Sequence, residues 1–349
     1  SAATLVSPRP GGAMIIDCAL YRDGHRQQEA ALSLEEAASL RHDGSEGFAW
    51  LGTFEPAPDE LERIRDSFGL HELAVEDVQS FHLRPKMEQY DHGIELVILR
   101  TARYDDEREE VDFGEISVFI APTFVITVRQ GVASELHTAR TNLEARPELL
   151  AEGSPAVLWA ILDQVIKSYG PVVAELERDI EQVESTVFAG EAAPTERIYF
   201  LRREVTNFYR AVHPLLTVLT TIERTYREGP LAPYLHDVHD YLRLISDEVA
   251  AQRDLLATIL EANMAVISVE QTRLGIRQGQ TIERLTVLAT VFLPLTFVTG
   301  FFGQNFPWLV EHLDGFGRFV LLGIGGLVVP LIVLWGLLRR DRRRLDEAG

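Results

Sequence analysis

Two uncharged amides, Gln304 and Asn305, stand at the end of a long stretch that carries no charged side chain. The stretch runs from Leu285 to Val310, and Gly303 directly precedes the two amides. An amide side chain offers hydrogen-bond donors and acceptors without a net charge, so it can hold a polar ligand less tightly than a carboxylate holds a cation. The pattern predicts a polar rim on an apolar segment, with chemistry based on hydrogen bonding.

Two acidic residues, Glu311 and Asp314, are the first charges after this rim. Carboxylates beside an opening raise the local concentration of cations, so the pair is a candidate outer mouth. A solvated loop would have the same composition, and the sequence leaves both interpretations open.

A second candidate constellation is formed by His236 and His239, which lie three residues apart on one helical face. Asp237 and Asp240 stand beside them. The spacing fits a transition-metal ligand pair, but it also fits a solvated helix face, which is the more common case.

The charge-free stretch and a second one near the C-terminus predict two transmembrane helices. The second stretch, Phe319 to Leu338, has 20 residues, which make roughly 30 Å of helix, the thickness of a bilayer core. We therefore expect spans at 285–303 and 319–338, joined by an extracytoplasmic loop at 304–318.

The arginines predict how the spans are oriented. The basic tail at 339–349 begins with RRDRRR after the second span, and Arg273, Arg277 and Arg284 precede the first. Because cytoplasmic flanks are enriched in arginine and lysine, both chain ends are expected in the cytoplasm, with the protein in the plasma (inner) membrane.

The part before the spans divides into three regions. Residues 1–13 have no apolar core and are predicted to be a disordered leader. Residues 14–131 mix strand and helix patterns and predict a cytosolic α/β domain. Residues 132–284 show helical periodicity, with one helix predicted from Pro155 to Phe188 and another from Thr195 to Arg227.

The last helical pattern is unusually long, because it begins near Pro233 and has no convincing end before Gly303. Some 70 residues make a helix on the order of 100 Å, which needs support along its length. We expect that support from the same helix in other subunits, arranged as a parallel bundle.

Such a bundle would turn one stripe of the first span towards a common axis. The stripe begins at Gly300, five residues before Asn305, and continues back in steps of three or four residues. Its members are Gly300, Thr296, Leu293, Ala289, Leu285 and Ile282. Small and hydroxyl-bearing residues near the rim, with apolar rings below, suit a cation pore with a hydrophobic gate. An ordinary helix-packing face fits the same periodicity.

Composition excludes several classes of function. A formal net charge of −20 argues against a nucleic-acid partner. The single cysteine, Cys18, excludes an intrachain disulfide and fits a reducing compartment. The sequence shows no nucleophile elbow, zinc-protease helix or phosphate-binding loop, so we expect no enzyme activity. A membrane-anchored scaffold or sensor is the alternative of a different class.

Three segments carry a resemblance to a known family. ERLTVLATVFLPLTFVTGFFGQNF, residues 283–306, closely resembles the first transmembrane segment of the CorA family of divalent-cation transporters, whose signature is Gly-Met-Asn. The match here is Gly303-Gln304-Asn305. Residues 68–100, with Glu-Asp and Arg-Pro-Lys elements, resemble the family's cytosolic domain, and residues 233–247 resemble the start of its stalk helix.

The resemblance implies a funnel-shaped homopentamer with an α+β cytosolic domain, long helices and a central pore lined by the first span. Gly303, Gln304 and Asn305 would then form the selectivity filter. Mg²⁺ sheds its waters reluctantly, so a ring of Asn305 carbonyl oxygens can select it by accepting hydrogen bonds from its hydration shell. Passive import of Mg²⁺ down the membrane potential, with Co²⁺ and Ni²⁺ as further substrates, is the predicted function.

Gln304 departs from the usual methionine, and this leaves the transported ion open. Related ZntB-type zinc transporters carry other residues at this position, so Zn²⁺ transport, possibly coupled to protons, is the alternative. The protein is expected to need no cofactor beyond the ions themselves.

The resemblance also implies regulation by cytosolic Mg²⁺. Asp77 and Asp237 match acidic residues that face each other across the family's subunit interface, and Glu261 is a further candidate ligand. Two facing carboxylates repel unless a cation lies between them, so bound Mg²⁺ would hold the subunits together and keep the pore shut. Two exposed helix-surface acids are the alternative interpretation.

Overall fold

The computed structural model describes most of the chain. The described residues are 15–27, 32–39, 47–132, 136–191, 193–304, 307–312, 315–326, 328–329, 332 and 335–336. Contacts within the chain divide it into two units, residues 1–266 and residues 267–349.

The first unit is built on a seven-stranded sheet. The strands are β1 (Ile15–Arg22), β2 (His25–Arg26), β3 (Phe48–Phe54), β4 (Lys86–Tyr90), β5 (Ile94–Asp105), β6 (Glu110–Ala121) and β7 (Phe124–Gly131). Their order is β2-β1-β3-β7-β6-β5-β4, and β3 pairs with β7 in parallel while the other pairs are antiparallel. The α/β domain predicted from the strand patterns is thus present.

Both faces of the sheet are covered, because successive side chains of a strand point to opposite sides. In β5, Val97 and Leu99 join one core, and Leu96 and Ile98 join the other. Strands buried on both faces read as continuous apolar runs, which is why Ile94–Asp105 is so rich in aliphatic residues.

One face is covered by three short helices: α1 (Leu34–Ser39), α2 (Pro58–Phe68) and α3 (Glu72–Gln79). Helix α2 buries Leu61, Ile64 and Phe68 at helical spacing. It ends at Gly69, whose φ of 63° lies in the left-handed region that glycine adopts without strain.

The opposite face is covered by helices from the later part of the chain. They are α4 (Leu136–Glu144), α5 (Pro147–Leu150), α6 (Ser154–Phe188), α7 (Thr195–Val212), α8 (Leu215–Thr225) and the beginning of α9 (Ala232–Phe302). Helix α6 follows the prediction closely.

The single helix predicted from Thr195 to Arg227 is wrong, because the structure breaks it between Val212 and Leu215. Pro214 stands at the break. It has no amide hydrogen to donate, and its ring crowds the carbonyl of the preceding turn.

Helix α9 has 71 residues, about 105 Å at 1.5 Å per residue, and the predicted uninterrupted helix is confirmed. Asn263 fastens it to the connection between α6 and α7. This side chain is fully buried; its Oδ1 accepts from Ala193 N at 2.9 Å, and its Nδ2 donates to Ala193 O at 3.1 Å and to Thr195 Oγ1 at 3.2 Å.

The second unit contains the rest of α9, then α10 (Pro307–His312) and α11 (Phe316–Phe319), which continues into a π-helical turn at Val320–Ile324. Among the described residues, α9 alone is long and apolar enough to cross a membrane. The predicted second span, Phe319–Leu338, lies partly outside them.

Candidate functional site

The C-terminal part of α9 exposes large apolar side chains along its length. In the single chain Leu293 is 73% exposed, Phe297 72% and Ile282 63%. A helix in water does not leave such a contiguous apolar surface uncovered. This segment therefore requires lipid or other protein around it.

Three threonines in this segment have hydroxyl groups that are hydrogen-bonded within the helix. Thr286, Thr290 and Thr296 each donate to the carbonyl four residues earlier, at 2.8, 2.6 and 2.8 Å. An unpaired hydroxyl costs free energy where no water is present, and the bond to the preceding turn removes that cost. These three threonines of α9 are thus compatible with an apolar environment.

The predicted pore-lining stripe is exposed throughout in the single chain. Its members are Ile282, Leu285, Ala289, Leu293, Thr296 and Gly300. Each can therefore face another copy of the chain.

The end of α9 coincides with the predicted rim. Gly303 N donates to Thr299 O at 2.9 Å, and Gln304 N donates to Phe301 O at 3.4 Å. A Cβ on Gly303 would lie 3.1 Å from Thr299 O, so a side chain here would press on the last helical turn. Because Gly303 has no side chain, the chain can leave the helix directly after this turn. Gln304, the next residue, is exposed.

Of the other rim and mouth residues, Asn305 and Asp314 lie outside the described part of the chain. Glu311 is exposed on α10.

Asp77, on α3, has a counter-ion within its own chain. Lys86 Nζ donates to Asp77 Oδ2 at 2.6 Å and to Glu88 Oε1 at 3.0 Å. Burial alone would lower the pKa of Lys86, but the hydrogen bonds to Asp77 and Glu88 outweigh it and raise the pKa. The lysine therefore stays charged. The sequence prediction missed this pair, although Lys86 belongs to the Arg-Pro-Lys element quoted above.

A buried network holds the loop between α3 and β4, where His82 lies. Glu115, 1% exposed, accepts from His82 N at 2.7 Å, and Arg100 Nη1 donates to His82 O at 2.9 Å. His82 Nε2 lies 3.7 Å from Asp77 Oδ1. Burial raises the pKa of Glu115, although hydrogen bonds from His82 act in the opposite direction. The network fixes the loop that precedes Lys86.

Asp237 lies on α9 and lines a cavity of about 510 Å³ together with Asp163, Lys167 and Tyr234. Glu261 is exposed further along the same helix. Within one chain, the described residues contain no group of three or more His, Cys, Asp or Glu arranged to hold a metal ion. A cation bound at Asp77 or Asp237 would thus need ligands from a second chain or from water.

The two histidines of α9 share a partner on α8. His239 Nδ1 lies 2.7 Å from Glu223 Oε2, and His236 Nδ1 lies 3.3 Å from Glu223 Oε1. This contact joins two helices on the surface and fits the helix-face interpretation better than a metal-ligand pair.

Comparisons with known proteins assign the chain to the metal-ion transport proteins. The sequence model of the family described as "CorA-like Mg2+ transporter protein" matches residues 45–340. The chain therefore belongs to the CorA family, and it is a CorA-family divalent-cation transporter.

Individual relatives agree with this assignment. The chain is 24% identical over 285 residues to the cobalt/magnesium transport protein CorA of Thermotoga maritima, covering 79% of this chain and 78% of the relative. It is 25% identical over 290 residues to the putative metal ion transporter YfjQ of Bacillus subtilis, covering 82% and 87%. The fold is similar to the structure of full-length CmaX, with a TM-score of 0.61, 23% identity and coverage of 96% of this chain and 100% of that one.

Proposed function

We propose that the protein is a homopentameric channel that imports hydrated Mg²⁺, and also Co²⁺ and Ni²⁺, down the membrane potential. The observation that carries this proposal is the continuity of α9, which runs from the α/β unit through an uncharged segment to Gly303-Gln304-Asn305. In the proposed assembly, this one helix would connect a cytosolic regulatory unit to the mouth of the pore.

Exposure along α9 supports the assembly. Leu285, Leu293 and Phe297 are all exposed in one chain. Copies packed around an axis would cover the stripe that includes Leu285 and Leu293, and lipid would cover the outer side. The protein would lie in the plasma membrane with both termini in the cytoplasm, and its partners would be its own copies, lipid and divalent cations.

Five Asn305 side chains around the axis would form the filter together with Gln304. Their amide oxygens accept hydrogen bonds from the waters of a hydrated cation without stripping them. Glu311 and Asp314 would raise the cation concentration outside. The ion needs no nucleotide, because a divalent cation gains roughly 4.6 kcal/mol per 100 mV of membrane potential.

Regulation would act through the interface residues Asp77 and Asp237, with Glu261 as a further ligand. Lys86 adds a step to this scheme, because it already neutralises Asp77 within the chain at 2.6 Å. A cytosolic cation would bind between subunits in competition with the lysine, and its loss would return Asp77 to Lys86. The closed state would then be favoured at high cytosolic Mg²⁺.

The proposal is tested with the purified chain in liposomes. Vesicles should take up Mg²⁺ under an inside-negative potential, and Asn305→Ala should reduce uptake to the level of empty vesicles. Asn207→Ala, which removes a half-exposed amide from α7, is the matched control and should transport normally. Normal uptake by Asn305→Ala would show that the filter is elsewhere, and faster flux of Zn²⁺ than of Mg²⁺ would favour a zinc transporter.

A further inference from the structure

A short loop of the first unit presents two large apolar side chains to solvent. The loop, residues 80–85, joins α3 to β4. Leu83 is 72% exposed and Phe81 51%, and among the described residues of this unit no other large apolar side chain is as exposed as Leu83. Single apolar residues are common on protein surfaces, so exposure alone says little. What distinguishes this loop is how its backbone is held.

Buried hydrogen bonds hold the backbone between the two apolar residues. His82 N donates to Glu115 Oε2 at 2.7 Å, and Arg100 Nη1 donates to His82 O at 2.9 Å. The Arg100 guanidinium also lies 4.4 Å from the centre of the Phe81 ring. The loop cannot turn its apolar side chains towards its own chain without breaking hydrogen bonds to two buried charged groups. It is therefore preorganised for contact with another surface.

A groove between α4, α6 and α9 offers a matching surface. This docking groove is the cavity of about 510 Å³ that Asp237 lines, and its apolar members include Leu143, Trp159 and Tyr234. The rings of Trp159 and Tyr234 lie 5.2 Å apart, and Tyr234 is 38% exposed. An aliphatic side chain that covers these rings removes apolar surface from water, which is favourable.

The charges beside the two surfaces are of opposite sign. Arg84 is exposed on the loop and Asp237 is exposed at the groove, and neither has an ion pair or hydrogen bond with another described residue. Of the two cations that line the groove, Lys167 pairs with Asp163 at 2.7 Å, and Arg146 lies 5.9 Å from the centre of an indole ring. Complementary charges beside an apolar contact fix its register.

The loop of one chain does not line its own groove. Helix α3, which leads into the loop, covers one face of the sheet, while the helices of the groove cover the other. No residue of 80–85 is among the described residues that line the groove. The two surfaces can therefore meet only between two copies of the chain.

We propose that the loop of one copy docks in the groove of the next copy, with Leu83 against Trp159 and Tyr234 and with Arg84 opposite Asp237. The inference rests on the proposed function, because it requires the chain to assemble. Since the two surfaces differ, each copy inserts one loop and receives another, and such head-to-tail contacts close into a ring when the rotation between copies permits.

Docking also brings the two regulatory carboxylates together. Asp77 lies four residues before Phe81, and Asp237 lines the groove that receives the loop. The proposed cation site is thus complete only where the loop of one copy occupies the groove of the next.

Cross-linking of cysteine variants tests the contact in the full chain in detergent. Leu83→Cys combined with Ala145→Cys puts one thiol on the loop and one on an exposed residue of the groove. A short bis-maleimide should join copies into covalent dimers and larger species on a denaturing gel. Phe188→Cys with Ala145→Cys is the matched control, because Phe188 is 69% exposed at the end of α6, and it should give none. The native Cys18 is buried, so the parent protein should also give none.

Leu83→Asp tests the energetics of the same contact. It should weaken association between copies roughly tenfold or more, because burial of a leucine side chain is lost. Sedimentation velocity over a range of concentrations measures this change. The melting temperature should stay unchanged, since Leu83 is exposed in the single chain. Phe188→Asp should associate like the parent protein.

The outcomes separate this inference from the proposed channel. A parent chain that is monomeric in detergent and takes up no Mg²⁺ in liposomes would contradict both. An oligomeric parent that takes up Mg²⁺, but whose Leu83 and Ala145 cysteine pair gives no covalent dimer, would overturn the docking contact alone. Equal cross-linking of the control pair, or parent-like association of Leu83→Asp, would overturn it as well.

Discussion

At the scale of single residues, the proposed regulation predicts that Lys86 competes with a cation for Asp77. The lysine ammonium lies 2.6 Å from the carboxylate, in a partly exposed position. An incoming Mg²⁺ must displace it or tolerate its repulsion. The affinity of the proposed regulatory site would therefore depend on a residue that is not itself a ligand.

Lys86→Gln should make the regulatory site bind more tightly. A partly exposed charge pair contributes up to about 1 kcal/mol, so the Mg²⁺ concentration for half-maximal protection against proteolysis should fall about fivefold. Arg103→Gln removes a positive charge elsewhere on the same unit and should leave that concentration unchanged. A midpoint that does not move in Lys86→Gln would separate Lys86 from regulation.

Because Glu115 is buried, we predict that the stability of the folded chain depends on pH. Burial raises its pKa in the folded chain above the unfolded value of about 4.3, so the folded state binds the proton more tightly. Its contribution is fully present below the unfolded pKa and is lost as pH rises through the folded pKa.

Glu115→Gln should therefore reduce the fall in melting temperature as pH rises from about 4.3. The amide oxygen of glutamine can still accept from His82 N, so the loop should keep its position. Glu110→Gln alters a carboxyl that is 44% exposed and is the control. An unchanged pH profile in Glu115→Gln would show that the buried carboxyl does not titrate in this range.

At the scale of elements, α9 depends on contacts at a distance along the chain. Its Asn263 pairs with Ala193, 70 residues earlier, through both the backbone N–H and the carbonyl. Removing the amide leaves two buried backbone groups without this partner. The connection between α6 and α7 should then loosen from α9.

Asn263→Leu should destabilise the first unit by about 3 kcal/mol, since each unsatisfied buried group costs roughly 1–3 kcal/mol. The melting temperature should fall by several degrees, and cleavage by protease should appear near Gly190. Asn207→Leu, at a half-exposed position on α7, should change both readouts little. Equal effects of the two variants would contradict the role of Asn263.

These elements also show what the sequence could predict. The apolar patterns of residues 14–131 and 155–188 are enough to predict the α/β domain and α6, because local periodicity determines which residues face the core. Strand β4, KMEQY, escaped prediction because it is short and largely polar. The sequence prediction misses the break at Pro214 because apolar periodicity continues on both sides of the proline.

Some features of the candidate site could likewise be predicted from the sequence, and others could not. The end of α9 at Gly303 could be predicted because its signal is local: an uncharged run that ends in a glycine and amides. The hydrogen bonds of Asn263 could not be predicted, since they depend on residues that only the folded helices bring together.

At the scale of the whole molecule, the proposed pore requires identical chains to meet along one stripe of α9. Thr296 belongs to this stripe. Val298 lies at nearly the same depth but roughly 200° further around the helix. The native Cys18 is buried, so the parent protein should react little with a thiol reagent that cannot enter the core.

The most direct test is Mg²⁺ uptake by Thr296→Cys and Val298→Cys in liposomes after treatment with a cationic methanethiosulfonate. A bulky cation attached to a pore-lining cysteine obstructs the path and repels the ion. We predict that Thr296→Cys loses most of its uptake, while Val298→Cys and the parent protein keep theirs. Full uptake by modified Thr296→Cys, or equal inhibition of both variants, would contradict a pore lined by this stripe.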